Sequence, residues 1–194
     1  KSVRCAVNPL LGRETWFNTD VPARKAKKVV IVGGGPAGLE AARVCAMRGH
    51  TVTLFEREKV LGGKFRMACA AEFKAEMRGY LDWSINSAVG DSRITVKTGV
   101  KAEPAAILAE KPDAVIIAAG AEPIIPPFTA VGTDKLVWVG DAEEGRVPLG
   151  EHIAVCGGGV TGMEFALSMI RKDKSVTIID RLPENELGMG GSAI

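Results

Sequence analysis

Four apolar residues in succession, Val29–Val32, follow the basic run "RKAKK" at 24–28. A continuous β-branched run of this kind predicts a strand buried on both faces, as in a parallel sheet. The basic run reads as its solvated approach. A glycine-rich turn comes next, then a helical pattern over Ala37–Arg48 that Gly49-His50 ends, then a second buried strand, Val52–Phe55, closing on Glu56. The pattern further predicts a helix over Glu72–Ser87, a strand over Arg93–Lys97, a short helix over Ala105–Glu110 and a buried strand over Asp113–Ala118. The prolines of "AAGAEPIIPPF" suit a segment that leaves the sheet.

The first strand–turn–helix–strand unit returns 124 residues later without a gap. Gly33, Gly35 and Gly38 fall on Gly157, Gly159 and Gly162, Glu40 on Glu164, Glu56 on Asp180 and Arg57 on Arg181. Each strand-end acid lies 23 residues past its first glycine (33 to 56, 157 to 180). One G-x-G-x-x-G is weak evidence; two in register, each with strand, helix, strand and terminal acid, predict a Rossmann-like α/β dinucleotide-binding fold with a parallel central sheet.

The loops have a defined chemistry. The first glycine permits the tight turn, the second lets the backbone approach a pyrophosphate, and the third lets helix and strand pack closely. The helix start offers free N–H groups and the positive dipole end to phosphate. The strand-end acid accepts from ribose hydroxyls. In the first loop the candidates are Gly33, Gly35, Pro36, Ala37, Gly38 and Glu56 with Arg57. In the second they are Gly157, Gly159, Val160, Thr161, Gly162, Glu164 and Asp180 with Arg181. Asp180 favours a free 2′-hydroxyl and hence NADH, whereas Arg181 could hold the 2′-phosphate of NADPH. A "VGDAEEG" stretch at 139–145 precedes the second loop and reads as an interdomain turn, although it resembles a Gly-Asp flavin contact.

Composition removes other classes. A net charge of +2 gives no reason to expect nucleic acid, and no apolar run has membrane-spanning length. Cys5, Cys45, Cys69 and Cys156 show no CxxC spacing, which points to a reducing cytoplasm and away from a dithiol redox centre. Cys45, Cys69 and Cys156 read as small core residues. His50 and His152 lack partners for acid–base work, so no catalytic residue is assigned.

The order "CAVNP…GRE, linker, VVIVGGGPAGLEAA…RGHTVTLFE…LGGKFR" resembles the C-terminal half of the 2,4-dienoyl-CoA reductase, 2-enoate reductase and trimethylamine dehydrogenase family. The resemblance implies a linker over 1–28, an FAD-binding domain (ADP as the alternative) over 29–123 and the start of an NAD(P)-binding domain over 124–194. It implies that Gly62, Gly63 and Lys64 lie along the pyrophosphate, that Val100 meets adenine through its backbone, and that Ala119 and Gly120 stand in the family's Ala-Thr-Gly, with Ala119 replacing threonine. It implies that Cys5 is the fourth ligand of a [4Fe–4S] cluster in the full-length protein only, and that the missing partner is an FMN-binding barrel half of the same polypeptide. The chain is then an electron-input portion passing reducing equivalents from NADH or NADPH through FAD, inactive alone. An ADP- or FAD-binding domain of an amine-dehydrogenase-like enzyme, and a non-catalytic nucleotide-binding domain, are the alternatives.

Overall fold

The computed structural model describes residues 5, 7–8, 10–16, 21–124 and 135–183. They fall into two compact units: residues up to Phe65 with Glu76–Ile124, and Arg66–Ala75 with 135–183. The prolines at 126 and 127 and the "LGMGGSAI" end lie outside the described residues.

In the first unit, strands β1 (Lys28–Val32), β2 (Thr51–Glu56), β3 (Ile94–Thr98) and β4 (Ala114–Ile117) form one fully parallel sheet in the order β3-β2-β1-β4. The register sets Ile31 against Leu54 and Ile116, and Leu54 against Val96. β1 and β2 are buried on both faces because crossover connections cover a parallel sheet from either side. Helix α1 (Pro36–Met47) turns Gly38, Leu39, Ala42 and Ala46 onto β1 and β2, since Gly38, Ala42 and Ala46 recur every four residues with Leu39 beside them on one helical stripe. Its small residues let the helix come close. Val29, Ile31, Leu39, Val52 and Leu54 form the core with Ala88 of the longer helix α3 (Ala75–Val89) and Ile94. Here Leu61, in the turn after β2, is also buried.

Helix α1 ends on a left-handed residue. Gly49 has φ +89°, its N–H bonds the Ala46 carbonyl, and the His50 N–H bonds the Cys45 carbonyl. Those two bonds satisfy carbonyls that the last turn would leave open.

Between β3 and β4 lies α4 (Pro104–Ala109), with Pro104 in the first turn, where a missing N–H costs least. Beyond it, Glu110 accepts from Lys97 at 2.6 Å and from Lys28 at 3.1 Å, tying β1, β3 and the end of α4 together. Residues 10–16, in the expected linker, form successive turns: the N–H of Arg13 bonds the Leu10 carbonyl and that of Trp16 the Arg13 carbonyl.

The second unit pairs β5 (His152–Cys156) with β6 (Ser175–Ile179) in parallel, with α6 (Val160–Ile170) crossing between them. Val155, Phe165 and Met169 make its core with Ala142. Helix α6 closes as α1 does: Asp173 has φ +60°, its N–H bonds Ile170, and the Lys174 N–H bonds Met169. The non-glycine replacement alters the residue and leaves the geometry.

The structure corrects three expectations. The stretch at 139–145 is not a plain turn: Val139–Glu143 is a short helix, α5, because the extended Trp138 presents its carbonyl to the N–H groups of Asp141 and Ala142. Gly140 packs so tightly against the Trp138 ring and Met67 that a Cβ there would collide with both. The helix expected from Glu72 starts as a 3-10 turn, Glu72–Lys74, before α3, and Phe65–Ala68 forms an extra helical turn, α2. Cys156 is exposed, since odd-numbered β5 residues face α6 and Cys156 points to the other side; Cys45 is half-buried against the first core and Cys69 is buried.

Candidate functional site

Each glycine loop is built by a short list of backbone contacts. In the first, the Gly33 N–H bonds the Phe55 carbonyl at 2.8 Å, anchoring the turn to the end of β2. Gly33 has φ +108°, and Ala118, just past β4, sets its carbonyl where a Gly33 side chain would be. Gly38 is pressed on the Gly33 carbonyl, so that any Cβ at 38 would overlap it. This is the close helix–strand approach expected of the third glycine. Gly35 caps α1 with extended backbone and no side-chain cap, and no acid stands in the first turn. The initial N–H groups of α1 are therefore left for another acceptor.

The second loop repeats the strand anchor and the close glycine approach within its own unit. The Gly157 N–H bonds the Ile179 carbonyl at 2.8 Å, Gly157 has φ +115°, and a Cβ on Gly162 would overlap the Gly157 carbonyl. Gly159 caps α6 in the same extended conformation, and the Met163 N–H bonds its carbonyl at 2.9 Å, as Leu39 does Gly35.

Both strand-end acids turn back to their loops. Glu56, 6% exposed, accepts from the Gly34 N–H at 2.6 Å and, through its other oxygen, from the Glu58 N–H at 2.8 Å. Asp180 accepts from Gly158 at 2.6 Å and from Leu182 at 2.9 Å. The Gly158 N–H, then that of Leu182, holds the Asp180 carboxyl below the usual aspartate range. Each carboxylate oxygen is thus met by one backbone donor, and each retains lone-pair capacity for a hydroxyl.

The loops differ in what surrounds them. Gly62 donates to the Gly34 carbonyl at 2.8 Å, and Gly63, φ +52°, lies face to face with Gly35. Lys64 follows directly, and Arg57 follows Glu56. Val100 donates to the Glu56 carbonyl at 2.9 Å, which brings the 98–100 turn to the same end of the sheet. Ala119 and Gly120 continue from the carbonyl that packs on Gly33. The structure therefore gathers Gly33 to Gly38, Glu56, Arg57, Gly62 to Lys64, Val100, Ala119 and Gly120 at one edge. In the second unit it gathers Gly157 to Gly162 with Asp180 and Arg181. Among the described residues nothing stands within 4 Å of a Cβ built on Gly157 or Gly159.

Glu164, one turn into α6, is bound at 2.6 Å by Lys74, whereas its counterpart Glu40 pairs with Arg43 of its own helix. Lys74 and Glu122 carried no motif signal, because their partners are distant in sequence. Cys5 is exposed with a free thiol. Among the described residues no group of three or more His, Cys, Asp or Glu could hold a metal ion, and no helix is long and apolar enough to cross a membrane.

The chain is similar to known proteins over nearly its whole length. It is 37% identical over 193 residues to the NADH oxidase of Thermoanaerobacter brockii, covering 96% of this chain and 29% of that protein. It is 38% identical over 190 residues to the cinnamate reductase of Clostridium sporogenes, covering 98% and 28%. The fold matches a solved 2-naphthoyl-CoA reductase in complex with 2-naphthoyl-CoA with a TM-score of 0.80 and 32% identity, over 90% of this chain and 26% of that one. The chain spans less than a third of the length of each of these relatives. Residues 27–190, which contain both glycine loops, match the family described as pyridine nucleotide-disulphide oxidoreductase, and the chain belongs to that family.

Proposed function

We propose that the chain is the electron-input portion of a larger flavin oxidoreductase of the enoate-reductase type, with FAD at the first loop and NADH or NADPH at the second. The observation that carries this reading is the shared construction of the two loops. Each joins an uncapped helix start to a strand-end carboxylate already oriented by backbone donors. Such a cradle suits a dinucleotide at both ends: amides for the diphosphate, a carboxylate for the ribose.

The residues present fit these groups. Gly35 and Gly159 leave the approach to their helix starts clear of side chain. In the first unit Glu56 would hold the adenosine ribose, Gly62-Gly63-Lys64 the diphosphate, and Val100 the adenine edge; in the second Asp180 would hold the nicotinamide dinucleotide's adenosine ribose. A bound flavin supplies the exchange between two-electron and one-electron traffic. This chain's residues bind and orient; none is assigned a proton or covalent step. The partner is a barrel half of the same polypeptide, carrying FMN, with Cys5 completing a [4Fe–4S] cluster between the halves. The names of the relatives, an NADH oxidase and a cinnamate reductase, support the reductase direction.

Titration of the purified chain with FAD, ADP, NADH and NADPH, followed by calorimetry, tests the reading. Saturable binding of FAD or ADP, lost in Glu56→Ala, together with separate NADH or NADPH binding lost in Asp180→Ala, is the expected result. A folded chain that binds neither FAD nor ADP overturns it.

A further inference from the structure

Three chain segments close on the first glycine loop, and each brings a charge with it. Lys64 follows Gly63, where a Cβ would lie 3.1 Å from the Gly35 Cα. Arg57 follows Glu56, which is bonded to Gly34. Glu122 follows the Ala118–Gly120 exit that packs on Gly33. The two cations do not point away into solvent. Arg57 Nη2 lies 2.5 Å from Glu122 Oε1, and Lys64 Nζ lies 3.5 Å from Glu122 Oε2 while also donating to the Ala121 carbonyl. A single carboxylate thus engages both cations at the loop edge. Glu58 also approaches Arg57, at 3.6 Å.

We propose that Glu122 is an internal anion for this site: its carboxylate occupies Arg57 and Lys64 and must give them up when a nucleotide diphosphate binds. The inference rests on the reading of the first loop as a dinucleotide site. Its physical basis is exchange between anions. The triad is accessible, with side chains 55% (Arg57), 42% (Lys64) and 64% (Glu122) exposed. Exposed ion pairs of this kind are weak and strongly screened. A diphosphate brings more charge than one carboxylate and also takes the α1 amides, so it displaces Glu122 readily. The displaced carboxylate then remains beside the phosphates as a like charge. Glu122 therefore lowers affinity while holding the two long side chains in place before the ligand arrives. The Arg57 guanidinium, with Lys64 adding to it, keeps the Glu122 carboxyl below the usual glutamate range, so it is ionised at neutral pH.

The experiment is calorimetric titration of the chain with ADP at low and high ionic strength, using the parent protein, Glu122→Gln and Glu103→Gln. Glu103 pairs only with Lys101 among the described residues, at 2.8 Å, and its variant makes the same change in net charge. Adenosine is the phosphate-free probe. The expected result is that E122Q binds ADP about two- to fivefold tighter at low salt, as loss of an exposed competing pair implies. The gain fades at high salt, adenosine is unaffected and E103Q behaves as the parent. Equal or weaker ADP binding by E122Q overturns the proposal, as does equal tightening by E103Q. If no variant binds ADP, the dinucleotide reading falls and this inference falls with it, whereas parent binding unchanged by E122Q leaves that reading intact and removes only Glu122.

Discussion

The backbone N–H of Gly34 donates to the buried Glu56 carboxylate at 2.6 Å, which ties the middle of the first glycine loop to the end of the neighbouring strand. The bond links a motif glycine segment to the acid 22 residues on. It makes loop shape and ribose-binding capacity one structural unit.

Because both Glu56 oxygens accept backbone N–H groups, Glu56→Gln must turn an amide NH2 toward one of those donors. An unsatisfied buried donor costs about 1–3 kcal/mol. Urea unfolding of E56Q is expected to show that loss. Asp180→Asn makes the same change at an exposed position and is expected to cost less; an equal or larger loss for D180N would contradict the difference in burial.

Gly35 and Gly159 separate folding from binding. Both have extended backbone that any residue adopts, and a Cβ meets only Gly63 at 3.9 Å in the first case and nothing within 4 Å in the second. Gly35→Ala and Gly159→Ala are expected to keep stability within about 1 kcal/mol, the scale of an N-cap change. They are expected to weaken ADP binding at the first loop and NADH binding at the second by about tenfold, roughly 1.4 kcal/mol. Melting curves and titrations on the same samples read the two effects apart.

The matched helix ends predict opposite signs. Gly49→Ala forces a side chain into φ +89° with free space around it, so its cost is conformational, about 1 kcal/mol. Asp173→Gly relieves φ +60° at the equivalent place and is expected to stabilise by about 0.5–1 kcal/mol. Thermal denaturation gives both signs directly.

Two carboxyls set opposite pH trends. Hydrogen bonds from Lys97 and then Lys28 lower the Glu110 carboxyl from 4.5 to about 2. Its contribution is present above pH 4.5 and is lost as pH falls toward 2, and Glu110→Gln is expected to remove that acid-side loss. Glu143 is the reverse. Burial raises its carboxyl, opposed by Lys172 and Lys74 and aided by Glu164, and its Oε2 has no bonding partner among the described residues. Its ionisation costs stability as pH rises through and above 4.5, so Glu143→Gln is expected to raise the melting temperature at pH 7 and to have little effect at pH 4.

Much of the fold was legible because its signals are local. Val29–Val32 is apolar at every position and Val52–Phe55 at every position but Thr53, as a doubly covered strand requires, and they lie within β1 and β2. The two glycine loops were legible through spacing, since each glycine answers a steric demand made within a few residues. The Trp138 helix start was hidden because the Gly-Asp pair resembles a turn, and the ring packing on Gly140 is not written in any period. Cys156 was misread because an apolar run does not say whether both faces of its strand are covered.

By itself the sequence determined the repeated strand–loop–helix–strand unit, the positions of its glycines and acids, and hence the parallel α/β class. These follow from side-chain periodicity and from backbone geometry that only glycine adopts cheaply. The tertiary structure alone decided that Glu56 and Asp180 turn back onto Gly34 and Gly158, that Lys74 reaches Glu164, and that Arg57 and Lys64 share Glu122. Those pairings join residues 22 to 90 positions apart. Which distant charge meets which is fixed by strand order and by the carbonyl of Ala118 against Gly33, and no local pattern carries that information.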